Sequence, residues 1–249
     1  MITIKSEREI ALMREAGRIV AETHALLRES LKPGISTLEL DTIAEQYIRS
    51  KGAVPSFKNY NGFPGSICAS INEVVVHGIP SEDIIVQDGD IISFDVGAIL
   101  DGYHGDAART VPCGNVDQDA LDLIEVTRAS LDEGLKFARE GYRLSDIGHA
   151  IQAYCESRGY GVVRDYCGHG IGTSMHEDPQ IPNYGRPGRG VRLKEGMCLA
   201  IEPMITEGTW EVTVQSDGWT VITKDGKRAA HHENTIALTA DGPVILTAL

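Results

Sequence analysis

The sequence predicts an α+β chain built from a duplicated unit, its strands joined into a central antiparallel sheet and its helices packed on the outer side of that sheet. Three observations carry this expectation. Helical periodicity gives way to strand-like alternation, and the same succession then returns further along the chain. Sliding the sequence by 107 positions lays Gly34 on Gly141, Leu40 on Ile147, Tyr47 on Tyr154, Ser50 on Ser157 and Gly52 on Gly159. The predicted helix boundaries coincide under the same shift. Two ordinary amphipathic helices that share a register are the alternative reading.

The first helix opens with Ser6 and Glu9 in capping-box spacing, and Ile10, Met13, Gly17, Val20 and Leu27 share one face until Lys32-Pro33-Gly34 stops it. A second helix starts at Ser36 with Glu39 three residues on. It turns Leu40, Ile43, Ala44 and Tyr47 inward and ends near Gly52. Apolar and polar residues alternate over 66–76 and 90–110, which predicts strands, and helices return over 117–139 and 145–158. After Gly159, glycine-rich loops and short strands run to the end.

With 42% apolar and 24% charged residues, the 249-residue chain has enough to bury a large core and too much pattern for disorder, so one globular unit over 1–249 is expected. A net charge of −13 disfavours a nucleic-acid substrate, which would call for a basic footprint. The charged start has no long apolar run behind it, and no stretch approaches a membrane span. Five cysteines at irregular spacing, without Cys-x-x-Cys, read as reduced thiols. A soluble cytoplasmic protein is expected.

Five residues that bind metals through oxygen or nitrogen sit beside strand-like or glycine-rich stretches: Asp95, Asp106, His169, Glu202 and Glu233. Four carboxylates and an imidazole are more negative charge than one zinc ion usually gathers, and they suit a pair of divalent ions that activates water for hydrolysis. If Asp101-Gly102 is a two-residue hairpin turn, Asp95 faces Ala108 and Asp106 lies on the diagonal from Asp95, on the same face. A bulge would break that register. Gly168-His169-Gly170-Ile171-Gly172 reads as a glycine-flanked loop that lets backbone approach what the ring contacts. It is not a dinucleotide fingerprint, and His176 has no zincin partner four residues on. Glu202 and Glu233 each lie in an apolar strand-like run, where a carboxylate needs a cation or a hydrogen-bonded partner. A structural salt bridge is the bland reading for either acid.

Several blocks carry a resemblance that covers nearly the whole chain: Lys32-Pro33-Gly34-Ile35-Ser36-Thr37, Ser70-Ile71-Asn72-Glu73 leading to His77-Gly78-Ile79-Pro80, Asp95 with Gly102-Tyr103-His104-Gly105-Asp106, the Gly168–Gly172 run, and Ile201-Glu202-Pro203-Met204. Together they resemble the type I methionine aminopeptidase family, whose pita-bread fold is a pseudo-twofold duplicated α+β unit. The resemblance implies removal of the initiator methionine from nascent proteins, with a small second residue preferred. Two divalent ions (Co, Mn, Fe or Zn) are implied: Asp95 would chelate one, Asp106 and Glu233 would bridge both, and His169 and Glu202 would complete the second. Glu202 is similar to the family's proton shuttle, while His77 and His176 match positions that flank the substrate, His176 toward the oxyanion and His77 toward the peptide.

The methionine pocket is implied at Tyr60, Phe63, Cys68 and Trp219, where sulfur–aromatic contacts are worth about 0.3–1.5 kcal/mol each. A monovalent-cation site is implied at Asn72 and the carbonyl of Val74, with Ala229 where the family usually has serine. The family usually has His after its last glutamate; here Asn234 follows Glu233, which orients through hydrogen bonds but carries no charge. A peptide with N-terminal Met, transient ribosome association and a monomer are the implied partners and state. Prolidases would use the same metals but carry a large extra N-terminal domain. A metal-free binding module of the same fold would be expected to lack one of the five ligands.

Overall fold

Ser6 and Glu9 close a capping box in the computed structural model, which describes every residue from Met1 to Leu249. Helix α1 (Glu7–Ser30) starts there, and α2 (Thr37–Ser50) opens on a second capping box made by Ser36 and Glu39. The chain continues through β1 (Val54–Pro55), a 3-10 turn at Tyr60–Gly62, β2 (Ile67–Ile71), β3 (Val74–Val76), β4 (Ile91–Leu100) and β5 (Tyr103–Pro112). Then come α3 (Gln118–Leu135) and α4 (Leu144–Glu156). Short strands complete the chain: β6 (Gly161–Val162), β7 (Gly168–Gly170), β8 (Glu177–Ile181), β9 (Cys198–Ile201), β10 (Met204–Thr206), β11 (Val212–Val214), β12 (Val221–Thr223), β13 (Ala229–His231), β14 (Asn234–Thr239) and β15 (Gly242–Ile245). Helix α3 stops at Leu135, short of the predicted 139, because Phe137 and Ala138 donate to the oxygens of Gly134 and Leu135 in a tighter turn.

The repeat is structural. Gly34 and Gly141 share left-handed φ values of 92° and 96°, and Gly52 and Gly159 share 77° and 86°. Ser36 bridges Ile85 as Arg143 bridges Arg192, and Thr37 N donates to Ile84 O as Leu144 N donates to Val191 O. Every one of these pairs is related by the same shift of 107. Each half also keeps its own core: Ile19, Leu27, Leu40, Ile48, Ile92 and Phe94 in the first, Leu131, Ile147, Ile151, Leu199, Ile201 and Ile236 in the second.

All pairings are antiparallel, and the expected single sheet takes the form of four hydrogen-bonded sheets. The reason lies in the second half. There β9 and β10 are parted by Glu202-Pro203, and β13 and β14 by His232-Glu233. Pro203 has no N–H to give a ladder. Glu233 N turns instead to Ala108 O on β5, at 2.9 Å. Threonine hydroxyls continue the seam: Thr235 Oγ1 accepts from Asp106 N at 3.0 Å and donates to Asp106 O at 2.8 Å. Thr110 Oγ1 does the same for His231, both bonds at 2.9 Å. The two halves are thus stitched side chain to backbone along the line where the expected acids sit. No helix is long and apolar enough to cross a membrane.

Candidate metal centre and the pocket beside it

The Asp101-Gly102 turn forms with φ of 50° and 82°, and its register pairs Asp95 with Ala108 and Gly97 with Asp106. Both aspartates therefore lie on one face, one diagonal step apart. Glu202 and Glu233 are not inside strands, as their apolar neighbours suggest, but in the two breaks of the second-half hairpin. The ladder cannot run through Pro203. That is why these acids face a cavity. Asp106 and Glu233 are buried, while the Glu202 side chain keeps 14% of its surface open.

His169 also departs from its expected setting, since it lies on strand β7 between β8 and β9 and not in a loop. Its flanking glycines make that possible. A Cβ on Gly168 would come 2.3 Å from Ala200 O, and one on Gly170 would come 2.0 Å from Asp178 O. His169 Nδ1 pairs with Gly170 O at 2.9 Å, which leaves Nε2 facing the acids. Nε2 stands 3.7 Å from Asp106 Oδ2 and 3.6 Å from Glu202 Oε1. Donors that share one ion at about 2.0–2.2 Å stand roughly 3–3.7 Å from each other, so this spacing fits a common cation.

Unpaired atoms test the fit independently. Asp95 Oδ1, Asp106 Oδ1 and Glu233 Oε1 are buried without a hydrogen-bond partner. Carboxylates in that condition are costly unless a cation compensates them. Burial first, and then the charges of Asp106 and Glu202, push the Asp95 and Glu233 carboxyls well above the usual range. Burial opposes a charge on His169, yet Asp106 and Glu202 outweigh it and push the imidazole up to about 9. The same negative potential draws a divalent cation, for which the imidazole serves as a neutral ligand. Asp106, His169 and Glu233 form one three-donor set, and Glu202, His231 and Glu233 form another that overlaps it. The two sets share Glu233.

Behind Glu233 lies Arg109, whose guanidinium donates to the backbone oxygens of Glu233 and Ala108 and to Asn234 Oδ1 at 2.6 Å. Asn234 Oδ1 accepts from Thr247 Oγ1 as well, at 2.9 Å. Asn234 is therefore an acceptor for a buried cation, a job that a protonated histidine could not do. Burial brings Arg109 down to about 10, with the Glu233 charge opposing.

Beside the acids a cavity of about 200 Å³ is lined by Tyr60, Phe63, Cys68, His77, His176 and Trp219 together with Asp95, Asp106, His169, Glu202 and Glu233. All the expected site residues thus meet in one place. Phe57, Asn61 and Met175 line it too, and sequence reading missed them because they lie in irregular segments without periodicity. His231 was missed as well. Its signal was the spacing of two from Glu233, which puts both side chains on one side of an extended chain. Cys68 pairs with Asp95 across the β2–β4 ladder, and burial followed by the Asp95 and Asp106 charges holds its thiol well above the ordinary value. That thiol is a wall, not a nucleophile.

His77 holds a left-handed φ of 60° and stands edge-on to Tyr166 and Trp219, with centroids 5.5 and 6.2 Å away. The His176 ring lies 4.3 Å from that of His169, and its Nδ1 meets the Tyr60 hydroxyl at 2.8 Å. Burial lowers both His77 and His176, so both are neutral near pH 7. The Asn72 side chain donates from Nδ2 to Asp90 at 2.8 Å and accepts at Oδ1 from Ile91 N at 3.1 Å. The backbone oxygen of Asn72 accepts from Ala229 N at 2.9 Å.

A donor set of this kind beside a pocket walled partly by aromatic side chains suits a metal-dependent hydrolase, and residues 11–240 match the model of metallopeptidase family M24. The chain belongs to that family. It is 58% identical over 247 residues to the methionine aminopeptidase of Clostridium acetobutylicum, and equally to methionine aminopeptidase 1 of Bacillus subtilis, covering 99% of each chain in both cases. The crystal structure of methionine aminopeptidase from Rickettsia prowazekii superposes with a TM-score of 0.98 at 46% identity, over 99% of this chain and 100% of that one. A prolidase from Pyrococcus furiosus, 24% identical, shares the fold with a TM-score of 0.80 over 65% of its length.

Proposed function

We infer that this chain, as a single catalytic unit over 1–249, removes the initiator methionine from nascent proteins by hydrolysing the first peptide bond. The observation that carries the reading is the wall of buried, partnerless carboxylate oxygens on one side of a small apolar pocket. Two divalent ions among Mn, Fe, Co and Zn would be held there, one by Asp95 and the second by His169 and Glu202, with Asp106 and Glu233 contributing to both. When bound, such a pair activates a water and polarises the scissile carbonyl.

The chain's own residues do the rest. Glu202, whose side chain keeps 14% of its surface open, takes a proton from the attacking water and returns it to the leaving amine. With the Tyr60 hydroxyl at Nδ1, His176 has Nε2 left to donate to the developing oxyanion. His77, strained and held by aromatic edges, orients the peptide. Phe63, Cys68 and Trp219, with Tyr60 at the rim, surround an unbranched thioether. The small cavity fits one such side chain. A cytoplasmic monomer that meets its substrates at the ribosome, with a monovalent ion beside Asn72 and Val74, goes with this reading.

The test is release of free methionine from Met-Ala-Ser and Met-Gly peptides, with and without chelator, against an Xaa-Pro peptide. Release from the Met peptides that stops on chelation is expected. Activity confined to the Xaa-Pro peptide, or indifferent to chelation, would overturn the reading.

A further inference from the structure

Glu202 stands between two imidazoles. His169 Nε2 is 3.6 Å from its Oε1, and His231 Nε2 is 3.5 Å from its Oε2. The His231 ring is 1% exposed, and its Nε2 is enclosed without a hydrogen-bond partner. Buried polar nitrogens left in that state are rare enough to demand an explanation. Nothing in the mechanism above uses this ring.

The surroundings say which role it fits. The His231 backbone is clamped at both N and O by Thr110 Oγ1, so the ring projects from a fixed point. Asn183 Nδ2 donates to the backbone oxygen of Glu202 at 2.9 Å, which holds the main chain there. No other protein group donates to Oε2. A small rotation of the carboxylate closes the gap to the roughly 2.7–2.9 Å of a charge-assisted bond. We propose that His231 is a positioning residue whose Nε2–H donates to Glu202 Oε2, setting the carboxylate so that Oε1 addresses the ion it shares with His169. The role is that of the outer partners that orient metal ligands elsewhere. It rests on the metal reading of the preceding section.

Calorimetric titration of the chelator-stripped chain with Mn²⁺ tests it, comparing the natural chain with His231→Gln and His231→Leu. Loss of the donor in His231→Leu is expected to weaken the Glu202-bound ion by about 10–100-fold, whereas His231→Gln, whose amide keeps an N–H donor, stays within about threefold of the natural chain. A natural chain that takes up no Mn²⁺ overturns the metal reading and this inference with it. Mn²⁺ uptake that is the same in all three chains overturns the positioning role alone. Equal failure of Gln and Leu overturns it too, since a ligating ring nitrogen would then be required. Nitrogen-15 NMR of the histidine-labelled, Zn²⁺-loaded natural chain decides the matter even if the leucine variant does not fold. A slowly exchanging Nε2–H on His231, assigned by its loss in His231→Gln, is expected; an unprotonated Nε2 overturns the proposal.

Discussion

In the first half, β4 and β5 run as one uninterrupted ladder from Ile91–Pro112 to Leu100–Tyr103, while the corresponding hairpin of the second half is cut into β9–β14 and β10–β13. The shift of 107 that relates the helices lays Asp95 on Glu202, so equivalent positions of the two hairpins both carry an acid. They differ in what holds them. Asp95 sits on a continuous strand, whereas Glu202 sits at a gap opened by Pro203. The cut also releases Glu233 N–H to cross to Ala108. A duplicated frame thus supplies a stiff ligand pair on an unbroken ladder and a second pair at a break in one, where the Glu202 side chain keeps 14% of its surface open.

The largest effect should come from the stiff side. Asp106 belongs to the stiff pair and is locked by Thr235 at both backbone atoms. Asp106→Asn is expected to lower both Mn²⁺ affinity and methionine release by more than the about 10–100-fold that loss of an outer-shell partner costs. Calorimetry and peptide assays check it. An Asp106→Asn chain that keeps full Mn²⁺ affinity would break the assignment of the stiff pair.

Next in size are the close approaches that hold the first half together. Gly17 on α1 faces Gly105 on β5, and a Cβ on Gly17 would come 2.2 Å from Leu246 O. Backbone cannot yield as a side-chain end can. Gly17→Ala is expected to destabilise the fold by about 1–3 kcal/mol or more, read from urea unfolding. The seam comes after it: Thr235→Val leaves Asp106 N–H and O without their partner, at a cost of about 1–3 kcal/mol. Its Mn²⁺ affinity should fall as well. Unchanged stability and affinity would mean that the hydroxyl does not join the halves.

The hairpin diagonal was legible because a two-residue Asp-Gly turn dictates register by counting, and the observed pairs follow that count from Leu100–Tyr103 to Ile91–Pro112. Helices α1 and α2 were legible from caps and periodicity, and α4 from the shift of 107 that carries α2 onto it. The cut in the second hairpin was not. Its strands are three to six residues long, too short for alternation to show, and Glu202 and Glu233 look like strand acids until Pro203 is set opposite His232. His231 was hidden for a related reason. A buried nitrogen becomes conspicuous only when its neighbours are known, and Glu202 lies 29 positions away. Phe57 and Met175 likewise reach the pocket from irregular chain.

The smallest effect sharpens the comparison away from the metal. At position 24 of α1 stands histidine, and the residue 107 further on, in α3, is Leu131 of the second core. His24 Nε2 bonds Ala107 O at 2.8 Å, and burial, followed by the charge of Arg109, brings its imidazole from the ordinary 6.5 down to about 3. The folded pKa is below the unfolded one, so above pH 6.5 the ring is neutral in both states and adds no pH dependence. Between pH 6.5 and about 3 the unfolded chain takes a proton that the folded chain refuses, and stability falls with pH at up to about 1.36 kcal/mol per unit. Replacing His24→Leu makes the first helix like the third and removes that proton. Ala107 O loses its donor, so the variant can start lower at pH 8. The readout is the slope: urea midpoints at pH 8, 6, 5 and 4 should fall less steeply in the variant than in the natural chain. His232, which burial also holds well below its ordinary value, keeps part of the slope in both. Parallel curves would show that this helix position is as indifferent to protons as its leucine counterpart.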